Sequence, residues 1–258
     1  MNAATPASTG ELPILYQDDA IVVVNKPSGL LVHRSPIDRH ETRFAVQLLR
    51  DQLGRHVFPV HRLDKGTSGA LAFALDKATA TALAELFASK QVRKTYVAVV
   101  RGWPQAAGVI DHPLDTVQDA YAPTADSAPK PCRTVYRRLA TVELPVRVDH
   151  YPTSRYALVE LEPKTGRRHQ LRRHLAHVSH PIIGDSTYGK GRHNRLFAER
   201  YGVRRLLLAC VRLGFDHPVT GERLRIAADP GGGFAELSRQ IEWRAAPLPP
   251  PGLSSSLP

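Results

Sequence analysis

The chain has 258 residues, 42% of them hydrophobic, with two cysteines and a formal net charge of +11. That length and apolar content suit a globular core, and two cysteines without a C-x-x-C pair argue against a disulfide scaffold or a cysteine-held zinc. No apolar run approaches the ~18 residues of a membrane helix, and the first residues lack the basic start and apolar stretch of a signal peptide. The expectation is a soluble, cytoplasmic protein with no membrane partner. The sequence pI is about 10.0. Arginine dominates the basic residues, and its planar fork holds phosphates bidentately, so a polyanion such as nucleic acid is the expected partner. A merely solvated basic surface is the plain alternative.

Residues 1–11 read as a flexible tail. "ILYQDDAIVVVNKPSG" reads as strand, turn, buried strand, turn, with Asp18 and Asp19 in the first turn and Pro27, Ser28 and Gly29 in the second. "ETRFAVQLLRDQLG" carries apolar residues at helical spacing and ends at Gly54. "VFPVHRLD" is extended, "GALAFALD" is a buried strand, and "KATATALAELFASKQV" is a helix with Asp76 as N-cap and Leu83, Leu86 and Phe87 on one face. "KTYVAVVRGW" is a strand. Residues 104–131 are rich in Pro, Ala and Asp and read as a partly ordered insert or long loop. "RTVYRRLATVEL" and "RYALVELEP" are strands, the second setting Ala157, Val159 and Leu161 against Tyr156, Leu158 and Glu160. A basic segment enters a helix at about Arg168, which would put Arg168 and Arg172 on one face. "RLLLACVRLGFDHP" and "RLRIAAD" are strands, "GFAELSRQIEW" is a closing helix, and the Pro/Ser-rich residues 245–258 read as disordered. Strands in clusters, without strict alternation with helices, predict an α+β fold: one domain over residues 12–244 with a mixed, mostly antiparallel sheet.

Two constellations carry chemistry. "HRLDKGTSG" (61–69) places Asp64 between basic residues and a Gly/Thr/Ser turn. The glycines permit a tight turn and close approach of a ligand to the backbone; an ordinary turn capped by Asp64 is the plain alternative. A carboxylate acting as nucleophile or base must be ionised, and a nearby arginine favours that form. The second segment, 162–189, holds four arginines within seven residues near a helix start, where backbone N–H groups also favour anions. His169, His174, His177 and His180 lie there too. Their spacing is not H-E-x-x-H and no acidic ligand lies among them, so no metal is expected. Kinase and P-loop signatures are absent.

Five motifs, "NKPSGLLVH" (25–33), "HRLDKGTSG" (61–69), "KTYVAVVRG" (94–102), "GRRHQLRRHLAHVSHPIIGD" (166–185) and "RLLLA" (205–209), stand in the order found in the RluA-type family of RNA pseudouridine synthases, which the chain resembles from about residue 13 to 230. The resemblance implies the pseudouridine synthase fold, a mixed, mostly antiparallel central sheet with flanking helices and an RNA-binding cleft. It implies a uridine isomerase needing no cofactor and no protein partner. The most similar branch modifies uridine 65 of tRNA; ribosomal RNA as substrate, or a non-catalytic RNA-binding protein of the same fold, are the alternatives. By the same resemblance Asp64 is the catalytic aspartate, Arg172 its partner, and Tyr96 the tyrosine that stacks on the target base and takes part in proton transfer. Arg62 occupies the place of the flipped nucleotide. Further substrate contacts are expected from His61, Thr67, Lys94, Arg167, Arg168 and His169. Attack at ribose C1′ and a glycal route both stay open. The chain departs from the family at Ala209, where a histidine is usual; no S4-like RNA-binding module is expected before the catalytic core, so much of the RNA grip is expected from the core's basic groove, with the 104–131 insert as a candidate helper.

Overall fold

The computed structural model describes residues 10–34, 40–115 and 128–245. Its elements begin with β1 (Ile14–Gln17), β2 (Ile21–Lys26), α1 (Ala45–Leu53), β3 (Phe58–Pro59), β4 (Ser68–Ala74) and α2 (Lys77–Ala88). They continue with β5 (Arg93–Arg101), β6 (Ala107–Asp111), β7 (Arg133–Leu144), β8 (Ser154–Pro163), α3 (Gln170–His177) and α4 (Gly191–Tyr201). The last are β9 (Leu208–Asp216), β10 (Arg223–Ala227), α5 (Gly232–Gln240) and β11 (Arg244–Ala245). The fold is α+β, as expected. Its internal contacts divide it into two compact units, Met1–Arg93 with Cys210–Asp229, and Lys94–Ala209 with Pro230–Pro258.

In the first unit the strands run β1, β2, β4, β9, with β3 on β4 and β10 on β9. Ile21 to Val24 are fully buried, so β2 is covered on both faces and reads as an unbroken apolar run. β2 and β4 pair antiparallel from Ile21 opposite Ala74 to Lys26 opposite Gly69. The β1–β2 turn is closed by Asp18, whose Oδ1 accepts the amides of Ala20 and Ile21. α1 ends at Gly54 in the left-handed region, and Asp76 caps α2 by accepting the Thr79 amide at 2.9 Å. Leu83 of that helix is fully buried, and Leu86 and Phe87 are half-buried on the same face. Gly69 has φ +110, and a Cβ there would stand 2.1 Å from the Cys210 carbonyl oxygen. A glycine is required there by the close approach of the Cys210 backbone.

In the second unit the order is β5, β8, β7, β11, with β6 on β7. β5 with β8, β7 with β8, and β6 with β7 are antiparallel. β6 lies inside the segment read as an insert or long loop: Ala107–Asp111 pairs in register with Arg133–Arg137. Its Pro- and Ala-rich flanks masked the strand, and residues 116–127 of that segment lie outside the described residues. β8 buries Ala157, Val159 and Leu161, as its alternation predicts, but Tyr156 is fully buried too. The reason is α4, which sequence reading overlooked. Its His193, Phe197 and Tyr201 recur every four residues and are buried. Phe197 meets the Tyr156 ring edge-on at 4.8 Å. No helix among the described residues is long and apolar enough to cross a membrane.

Candidate active site

The predicted site residues fall in both units: His61, Arg62, Asp64 and Thr67 in the first, and Lys94, Tyr96, Arg167, Arg168, His169 and Arg172 in the second.

Asp64 is half-buried in the loop between β3 and β4. Its carbonyl accepts the Thr67 amide at 3.0 Å, closing a tight turn, and Thr67 itself is only 2% exposed. Thr67 therefore shapes the turn from inside. His61 stacks its ring on Phe87 at 4.4 Å, and its Nε2 accepts the Ala72 amide at 3.0 Å, which anchors the loop's start to β4. Arg62 is exposed. Burial first, and then the Arg62 charge, push His33 below the ordinary histidine range, so two of the motifs share one electrostatic neighbourhood.

The loop is held by a device that sequence reading took only for a turn. Lys26 is fully buried, and its Nζ donates to the carbonyls of Pro27 at 2.9 Å, Leu30 at 2.8 Å and Lys65 at 3.3 Å. The Gly29 amide donates to the same Lys65 carbonyl at 2.7 Å, and the Ser28 hydroxyl donates to the Gly66 carbonyl at 2.6 Å. "NKPSG" thus buckles the two residues that follow Asp64. Lys65 adds an exposed ion pair with Glu41 at 2.7 Å.

In the second unit, α3 begins at Gln170, two residues later than expected, because His169 takes a left-handed conformation with φ 54. Arg168 therefore precedes the helix, and the shared face of Arg168 and Arg172 does not exist. The cause is Gln170, a residue not singled out from sequence. Its buried amide accepts from the Thr165 hydroxyl at 2.7 Å and the Arg167 amide at 3.0 Å, and donates to the Arg133 carbonyl and the Thr134 hydroxyl, both at 3.0 Å. One side chain thereby fixes the basic turn against β7.

Arg172 is 8% exposed and is gripped by Asp185 through Nε at 2.7 Å and Nη2 at 2.8 Å. Burial alone would raise the Asp185 carboxyl, but the Arg172 hydrogen bond and the amides of Tyr188 and Thr187 outweigh it and hold the carboxyl below its ordinary value. The Arg172 guanidinium lies over the Tyr188 ring at 5.1 Å, and the Tyr188 hydroxyl bonds His169 Nδ1 at 3.1 Å. The arginine is thus locked in position, charge and plane. Sequence reading did not choose Asp185, although it closes the motif that contains Arg172. Tyr96 lies on β5 opposite Leu161 and is 8% exposed; Lys94 is half-buried on the same strand; Arg167 is exposed and Arg168 half-buried. The other histidines of the segment have structural partners. His174 bonds the Thr134 hydroxyl and the His112 carbonyl, His177 stacks on His112 at 3.6 Å, and His180 bonds the Arg101 carbonyl. Ala209, where the family's histidine is usual, is fully buried in β9.

Residues 20–177 match the family model described as RNA pseudouridylate synthase, and the chain belongs to that family. Among its relatives, a protein of Vibrio cholerae named tRNA pseudouridine synthase C is 48% identical over 92% of this chain and 98% of its own length. A protein of the same name from Salmonella typhimurium is 51% identical over 90% of this chain and 91% of its own. Among solved structures, human RNA pseudouridylate synthase domain containing 1 superposes with a TM-score of 0.69 at 27% identity, covering 97% of this chain and 95% of that one.

Proposed function

We propose that this protein converts one uridine of tRNA to pseudouridine, with uridine 65 as the target and Asp64 as the catalytic aspartate. The observation that carries the reading is the 48–51% identity, over nine-tenths of the chain, to enzymes named tRNA pseudouridine synthase C. The net charge of +11 supports a polyanionic substrate. Cys132 and Cys210 are buried and in thiol form, which agrees with a place in the cytoplasm.

The chemistry needs an ionised carboxylate at the ribose and no metal or organic cofactor. Asp64 either attacks C1′ or assists loss of a ribose proton on a glycal route. In both, the C1′–N1 bond breaks and the uracil takes the electron pair. It rotates and C5 bonds to C1′, displacing the Asp64 carboxylate from the ester on the first route or with return of the ribose proton to C2′ on the second, and the C5 proton is then lost. Arg172 has donors on three nitrogens. Asp185 takes Nε and Nη2, which fixes the plane of the guanidinium that the family resemblance assigns as partner of the catalytic carboxylate. Tyr96 stacks on the extruded uracil and Arg62 fills the gap it leaves in the RNA, offsetting the few kcal/mol that extrusion costs. Lys94, Arg167, Arg168 and His169 contact the backbone around it. His61 and Thr67 act one step back, by shaping the Asp64 turn.

The target is tested by pseudouridine mapping after incubation with unmodified tRNA, with the same tRNA carrying cytidine at position 65, and with ribosomal RNA. One new pseudouridine at position 65 and none elsewhere is the expected result. Modification of ribosomal RNA alone would keep the reaction and replace the substrate.

A further inference from the structure

The second unit contains a cavity of about 490 Å³ whose walls include Arg101, Asp149, Tyr151, Arg155, His180 and His193; none of Asp64, Tyr96 and Arg172 lines it. We propose that this cavity seats one unpaired nucleotide of the RNA substrate, other than the target uridine. The proposal rests on the tRNA reading above.

Three features define the ligand. The first is cationic. Arg155 lays its guanidinium on Trp103 at 4.4 Å with its Nε 3.2 Å from Glu143, Arg101 reaches Asp149 at 3.4 Å, and Arg192, outside the lining itself, stands 3.8 Å from the lining residue Asp149 with its side chain 76% exposed. A phosphodiester suits such a group of guanidinia. The second is aromatic. Tyr151 is 76% exposed, far more than the packing of an ordinary tyrosine requires, and offers a ring face to a base. The third is an oriented acceptor. Asp149 takes a hydrogen bond from His193 Nε2 at 3.0 Å, while the fully buried Tyr156 bonds His193 Nδ1 at 2.8 Å. A carboxylate cannot donate, so His193 carries its proton on Nε2 and Nδ1 accepts from the Tyr156 hydroxyl. Burial, first among the causes, keeps His193 below its usual range and lifts Tyr156 to about 12, so both stay neutral. The chain of bonds fixes the Asp149 carboxylate as an acceptor for a base amine or a ribose hydroxyl. Phosphate donors, a stacking face and a fixed acceptor within a few hundred Å³ describe a nucleotide.

The test uses the full-length protein with Tyr151→Ala, Arg192→Ala and the double variant, all on exposed side chains. Affinity for unmodified tRNA is measured by filter binding across salt, and turnover at limiting and saturating tRNA. The double variant is expected to bind about ten-fold more weakly, in line with loss of one base stack. KM rises accordingly, and the single-turnover rate at saturation stays that of the wild type. Arg192→Ala lowers the slope of log affinity against log salt by about one. A photoreactive residue at position 151 crosslinks to a tRNA nucleotide other than 65. If wild type modifies tRNA and the variants match its affinity, KM and salt slope, the nucleotide pocket is wrong and the tRNA reading stands. If wild type neither binds nor modifies tRNA, both fall.

Discussion

Removing the Lys26 ammonium tests whether the "NKPSG" segment positions the Asp64 loop or merely adjoins it. Lys26→Met keeps a stem of similar length in a fully buried site and deletes three donors. The Lys65 carbonyl retains the Gly29 amide at 2.7 Å, but the Pro27 and Leu30 carbonyls lose bonds of 2.9 and 2.8 Å. Each unsatisfied carbonyl costs about 1–3 kcal/mol, partly offset because no ammonium then has to be buried. A net loss of about 3 kcal/mol follows, which for a chain of this size lowers Tm by about 6–12 °C. The loop also loosens at Lys65, next to Asp64. An error near 1 Å at a catalytic group costs about 100-fold, so kcat falls by about 10- to 100-fold while KM changes little. Differential scanning calorimetry and single-turnover kinetics below the lowered Tm read the two effects separately. An unchanged Tm would refute the account of the three carbonyl bonds. A lowered Tm with an unchanged single-turnover rate would refute the positioning of Asp64.

Asp185→Asn keeps the shape of the Arg172 partner and removes its charge; because the buried pair is then broken, activity is expected to fall at least 100-fold and stability by about 3 kcal/mol, read by single-turnover assay and chemical denaturation. The pH dependence follows from groups whose folded values are displaced downwards. His174 and His193 are held below the ordinary histidine value, mainly by burial; their stabilisation is whole above about pH 6.5 and is lost as pH falls through their folded values. Tm should therefore drop between pH 7.5 and 5.5, and a flat profile would contradict the burial of neutral imidazoles. Asp185, lowered as well, contributes stability above about pH 4 that is lost as pH falls further, so Asp185→Asn should flatten only that acid limb. Gly69→Ala places a Cβ 2.1 Å from the Cys210 carbonyl at a φ of +110, so the variant should be recovered unfolded or with Tm lowered by more than 10 °C; a soluble variant of normal Tm would show that β4 and β9 part easily.

Much of the chain was legible because local chemistry and global packing agree. The unbroken apolar run of β2, the Asp76 cap and the Gly54 stop each point to the element that forms. Two errors arose where a long-range partner overrides local pattern. α3 starts late because Gln170 ties its first turn to β7, thirty-six residues away at Thr134. β6 was lost because its five residues acquire strand geometry only through β7, and nothing in a Pro/Ala-rich stretch announces that partner. α4 was missed for another reason. Its polar composition hides a narrow stripe of His193, Phe197 and Tyr201, whose spacing and terminal Gly202 were available signals. At the site, the motifs named the arginine but not its holder: pairing depends on which carboxylate the fold delivers, and Asp185 lies thirteen residues on, beyond the end of the helix. The role of Lys26 was equally hidden, because a lysine in a turn motif reads as solvent-exposed until its burial is seen.

The central claim is that Asp64 drives the isomerisation. Forming pseudouridine releases the proton on uracil C5, so tRNA carrying tritium at C5 of its uridines reports the reaction directly. Wild type and Asp64→Ala are compared at saturating tRNA, with binding measured in parallel. The account predicts one equivalent of tritium released per tRNA by wild type and none by the variant, with tRNA affinity within a few-fold of wild type. Release by Asp64→Ala at a rate near that of wild type would contradict it.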